Sequence, residues 1–82
     1  MPKIAMPTLA QFIAERDLSV DALAVLGEID PSTAYRIVTG QSRPRPVTVV
    51  RLARALGIGA RRMQDVCRVT WDEAHQGQDV TR

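Results

Sequence analysis

Apolar residues recur along this chain at three- and four-residue spacing in short runs, and each run is cut off by a glycine, a proline or a charged cluster. The pattern predicts about five short helices and no strand. Thr8, after Pro7, is the natural N-cap of the first; Leu9, Phe12 and Ile13 share one face of it, and Glu15, Arg16 and Asp17 close it. Ser19 caps the second, with Asp21 in its first turn, Ala22, Leu23 and Leu26 turned inward, and Gly27 and Glu28 at its end. The third has the clearest boundaries: Asp30 as N-cap, Pro31 at the first helical position where a missing N–H costs nothing, and Gly40 as the stop. Within it Ala34, Ile37 and Val38 form the apolar stripe, which leaves Ser32, Thr33, Tyr35, Arg36 and Thr39 for the other faces.

Residues 41–45 are polar, and Pro44 and Pro46 bar any continuation of the third helix. Pro46 is placed to open a fourth, with Val47, Val50, Leu52, Ala53 and Leu56 as its inward set and Gly57 as its end. Ile58 and Gly59 lead into a fifth helix from about Ala60, where Met63, Val66, Cys67, Trp71 and Ala74 line one side. The expectation is an all-α fold, a compact bundle of about five short helices forming one domain over residues 1–75, with a flexible polar tail over 76–82.

Composition narrows what such a domain does. With 82 residues, 45% of them hydrophobic, the chain builds one small core and is only marginally stable alone. No apolar run approaches the roughly 18 residues a membrane span needs, and the first residues lack the apolar stretch of a secretory signal, so a cytoplasmic protein is expected. Cys67 and His75 are the only residues of their kinds, which leaves no internal disulfide, no cysteine-based zinc site and no expected metal or cofactor. There is no phosphate-binding loop and no nucleophile beside a base, so an enzyme is not expected.

The net charge of +2 says little, but its distribution says much. Up to Tyr35, Lys3 and Arg16 oppose Glu15, Asp17, Asp21, Glu28 and Asp30, a balance of −3, and the stretch from Val69 onward carries −2. Between them Arg36, Arg43, Arg45, Arg51, Arg54, Arg61, Arg62 and Arg68 face Asp65 alone, giving +7. An all-arginine block of this density is the footprint of a polyanion, because the planar guanidinium fork suits phosphates and guanine edges. Arg51, Arg54, Arg61 and Arg62 are equally read as solubilising a helix surface; Arg36, Arg43 and Arg45 flank the end of the third helix.

Two short helices joined by a tight turn and followed by a basic loop can present the second helix to a DNA major groove. The string LSVDALAVLGEIDPSTAYRIVTGQSRP, followed by VTVVRLARALGI, resembles the lambda-repressor-like, Cro-type helix-turn-helix family without gaps over about residues 18–63. The likeness is carried by Leu23 and Ala24 in the first motif helix, Ile29 and Asp30 before the second, Ala34 and Ile37 within it, and Gly40 after it. Leu52, Ala53, Leu56 and Gly57 complete it.

The resemblance implies a motif over about residues 19–40 whose second helix, residues 30–39, enters the major groove. It assigns base contacts to Pro31, Ser32, Tyr35 and Arg36, and phosphate contacts to Ser19, Thr33, Thr39, Gln41, Ser42, Arg43 and Arg45. Arg36 is the strongest specificity residue chemically, since arginine pairs bidentately with guanine. The motif together with the small size of the chain suggests a homodimeric repressor on an inverted-repeat operator, and the stripe of Met63, Val66, Cys67 and Trp71, with its lone tryptophan, is the candidate dimer interface. That apolar stripe reads equally as core, and a protein-interaction module, binding a toxin or RNA polymerase, stands as the alternative to a DNA regulator.

Three features depart from the family pattern. Val20 stands where a phosphate-gripping glutamine is common, and Pro31 where a polar base-reading side chain is common. The tight turn carries Gly27 then Glu28 instead of leucine then glycine. Either Glu28 turns left-handed, at about 1–2 kcal/mol, or Gly27 takes the turn.

Overall fold

Local capping sets most of the helix starts. In a computed structural model that describes residues 6–76, α1 (Leu9–Ala14) begins with a reciprocal box: the Thr8 hydroxyl accepts from the Gln11 N–H at 3.2 Å, and the Gln11 side chain accepts from the Thr8 N–H at 3.0 Å. Ser19 Oγ accepts from the Ala22 N–H at 3.0 Å to start α2 (Val20–Gly27). Asp30 Oδ2 accepts from the Ser32 N–H at 3.0 Å to start α3 (Pro31–Val38). α4 (Pro46–Leu56) and α5 (Ala60–Ala74) start at Arg45 and Gly59 with no side-chain cap. These five helices, with no strand among the described residues, form the expected all-helical bundle. The tail expected over 76–82 lies, apart from Gln76, outside the described residues.

One core draws on all five helices. Leu9, Phe12 and Ile13 of α1 meet Leu23 of α2, Ile37 and Val38 of α3, Val49, Leu52 and Ala53 of α4, and Met63, Val66 and Cys67 of α5. The inward sets of α2 and α4 differ from expectation. Val49, not Val47 or Val50, faces the core, because Val49, Leu52, Ala53 and Leu56 follow a single i, i+3, i+4, i+7 line. Val47 and Val50 stand 57% and 42% exposed beside it. On α2 the buried line is Leu23, Ala24 and Gly27, which leaves Leu26 52% and Val25 75% exposed.

The α5 stripe is likewise settled by packing. Met63 and Val66 are fully buried and Cys67 nearly so, all inside this chain's own core. They are therefore not surface for a second subunit, as the sequence had suggested; of that set Trp71 alone keeps partial exposure. Thr70, whose role the sequence did not announce, fixes α1 to α5: its buried hydroxyl donates to the Val66 carbonyl at 2.8 Å and accepts the Leu9 N–H at 2.8 Å.

Two turns hold α3. Before it, Glu28 takes the left-handed conformation (φ 58°, ψ 45°) while Gly27 stays helical, which resolves the choice left by the sequence. Arg51 of α4 donates to the Glu28 carbonyl at 3.2 Å and ties this turn to the bundle. After it, Gly40 is left-handed (φ 80°) and lies so close to α5 that a Cβ there would collide with Ala74 Cβ and stand 2.9 Å from the Thr70 carbonyl oxygen.

Candidate nucleic-acid interface

The face of α3 opposite Ala34, Ile37 and Val38 is open to solvent. Pro31, Ser32, Tyr35 and Arg36 are all exposed there, and Thr33 is half-buried at the margin. The spacing of Ser32, Tyr35, Arg36 and Thr39 puts them on one side of the helix, one turn after another. Their chemistry suits a base edge: a hydroxyl that donates or accepts, an aromatic ring for thymine methyls or sugars, and a guanidinium fork. Pro31 offers only an apolar ring.

The surrounding anchors differ in what they have left to give. Ser19 uses its oxygen lone pair on the Ala22 N–H, so its hydroxyl proton remains available to a phosphate. Thr39 does not: its hydroxyl donates to the Tyr35 carbonyl at 2.8 Å, and a phosphate oxygen, which only accepts, finds no proton there in this conformation. The backbone N–H groups of Gln41 and Ser42 are also committed, both donating to the Arg36 carbonyl at 2.7 and 3.3 Å. What the loop presents is its side chains: Gln41, Arg43 and Arg45 are exposed and Ser42 is half-buried.

Arg43 is held at α5. Its guanidinium carbon stands 5.4 Å from the centre of the Trp71 ring, which itself stacks on His75 at 3.8 Å between ring centres. Before the motif, the N-terminal end of α2 is a poor anion site, since Val20 packs on the core and Asp21 places a carboxylate in the first turn. Positive charge therefore concentrates after α3, not before it.

Arg51 was readable only as a surface cation, yet its bond to the Glu28 carbonyl makes it a brace for the turn that aims α3. No local pattern announces a contact across 23 positions. Among the described residues no group of three His, Cys, Asp or Glu side chains is placed to hold a metal. Burial pushes the Cys67 thiol up to about 11, so it stays protonated at neutral pH and is a weak nucleophile. No helix among the described residues is long and apolar enough to cross a membrane.

Comparison with known proteins agrees with this geometry. Neither the curated proteins nor the solved structures compared with the chain give a significant match. A family model described as a helix-turn-helix domain matches residues 8–73, which span all five helices but for the end of α5. The chain belongs to this helix-turn-helix domain family, a DNA-binding family of the Cro and lambda-repressor type.

Proposed function

We propose that the chain is a sequence-specific regulator of transcription that binds double-stranded DNA as a homodimer on an inverted repeat, lays α3 in the major groove and represses by occlusion. The observation that carries this reading is the division of α3 into a buried apolar side and an open side bearing Ser32, Tyr35 and Arg36. Affinity comes mainly from the arginines after α3, and specificity mainly from Arg36. Two copies on adjacent half-sites would set their α3 helices about 34 Å apart, one turn of the duplex.

Selection of bound duplexes from a random pool tests this directly. A palindromic consensus, with sedimentation showing two chains per duplex, is the expected result; a non-palindromic consensus bound by one chain refutes the dimer. A second reading, a domain that docks on another protein, is favoured by Val25 and Leu26, which stand apolar and exposed on the outer side of α2. The two separate by salt. Duplex affinity should fall steeply as salt rises if several phosphates are neutralised, and no measurable duplex binding at low salt would favour the docking domain.

A further inference from the structure

Residues 43–46, α4 and the outer side of α5 enclose a cleft of about 410 Å³. That falls within the roughly 300–1,000 Å³ typical of small-ligand sites. Pro44, Pro46, Val49 and Cys67 give it apolar walls, while Arg43, Gln64, Asp65 and Arg68 give it polar ones. The two guanidinium groups outnumber the one carboxylate, so the cleft favours an anion.

Neither arginine is saturated by what it touches. Arg68 meets Asp65 at 3.3 Å through a single pair of atoms, and both side chains are well exposed, at 59% and 41%. An exposed pair of this kind holds weakly, and Arg68 keeps further N–H donors for a second partner. Arg43 lines the cleft, and its guanidinium carbon stands 5.4 Å from the centre of the Trp71 ring on α5, a contact that leaves its N–H groups able to donate. Inorganic phosphate would meet the cations but leave the prolines and Val49 uncovered. An anion with a flat apolar body engages both kinds of wall.

We propose that this cleft binds a small aromatic carboxylate, with the carboxylate bridged by Arg43 and Arg68 and the ring lying on Pro44, Pro46 and Val49. Its consequence for DNA rests on the function proposed above. A carboxylate that engages Arg43 takes that side chain from the duplex backbone, so ligand and duplex each weaken the other's binding by the same factor.

The test uses the full chain with 2-naphthoate as probe, followed by amide NMR. Saturable shifts centred on Arg43, Gln64, Asp65 and Arg68 are expected, with a dissociation constant of about a millimolar, as suits a ligand of about a dozen non-hydrogen atoms. The neutral 2-naphthylmethanol and the Arg68→Ala variant should each bind about tenfold more weakly, as loss of a charge-assisted hydrogen bond requires. Arg61→Ala, on the same helix but outside the cleft, should bind as the parent does. Shifts that do not saturate, or equal affinity for the alcohol or in Arg68→Ala, overturn the proposal. A duplex titration with and without naphthoate then reads the coupling. Naphthoate binding with no duplex binding keeps the cleft and removes the DNA reading; duplex binding with no saturable naphthoate shifts does the reverse.

Discussion

The two turns that flank α3 look interchangeable in the sequence, each a glycine next to a polar residue, but the glycine has a different part in each. At Gly40 the glycine supplies both things that only glycine can: a left-handed backbone at φ 80°, and room for the backbone to touch α5 at Thr70 and Ala74. At Gly27 it supplies neither. That residue is helical, a Cβ there would stand 3.5 Å from Leu52 Cδ2 in ordinary contact, and the left-handed conformation falls on Glu28 instead. Both turns are hydrogen-bonded, the later by the Gln41 N–H to the Arg36 carbonyl at 2.7 Å, the earlier by the Ile29 N–H to the Ala24 carbonyl at 3.0 Å and by Arg51 to the Glu28 carbonyl at 3.2 Å, but only the turn after α3 adds a steric fit that needs glycine. A glycine in a turn motif marks need only where the backbone angle or a close approach demands it.

Substitutions on the two sides should therefore diverge in size and in sign. Gly40→Ala combines a left-handed alanine with a collision against α5 and should destabilise the domain by about 3 kcal/mol, read as a lowered urea midpoint. A midpoint unchanged from the parent would show that α3 and α5 are not in this contact. Thr70→Val, on the same side, keeps the shape but leaves the buried Leu9 N–H without an acceptor. It should cost about 1–3 kcal/mol, whereas Thr70→Ser should recover most of that. Before α3 the direction reverses. Glu28→Gly removes the left-handed penalty and should raise stability by about 0.5–1 kcal/mol with duplex binding retained. Gly27→Ala should be the smallest change, a gain of about 0.5 kcal/mol from helix propensity. A loss beyond about 1 kcal/mol at Gly27 would mean that α2 and α4 pack more closely than described, and the contrast between the turns would fail.

What was legible in the sequence was local. Thr8, Ser19 and Asp30 cap their helices because a capping side chain reaches an N–H only two or three residues on. The stripe of Ala34, Ile37 and Val38 follows from helical period alone, and the open placement of Ser32, Tyr35 and Arg36 follows with it. What was not legible depended on partners far along the chain. The run from Val47 to Val50 is an exception: it offers apolar residues in more than one phase, but the period with Leu52, Ala53 and Leu56, itself local, selects Val49. Met63, Val66 and Cys67 have the spacing of either a core or an interface, and the packing of α5 against the other helices decides for core. The Thr70 bond to Leu9 spans 61 positions, and Arg43 reaches Trp71 from another element, so neither left a local trace. At the interface the Thr39 hydroxyl is already spent on the Tyr35 carbonyl four residues back, a local bond that threonines at helix ends commonly make and that the sequence could have announced.

These turns matter because they aim one helix, and the central claim is that the open face of that helix reads bases. The most direct test is the affinity of the parent chain and of Arg36→Ala for a selected duplex and for each of its single-base-pair variants, at one fixed salt concentration. Arg36→Ala should lose about 1–3 kcal/mol on the selected site and no longer discriminate at one base pair, while discrimination elsewhere persists. Arg36→Ala binding the selected site and all its variants as the parent does would contradict that claim.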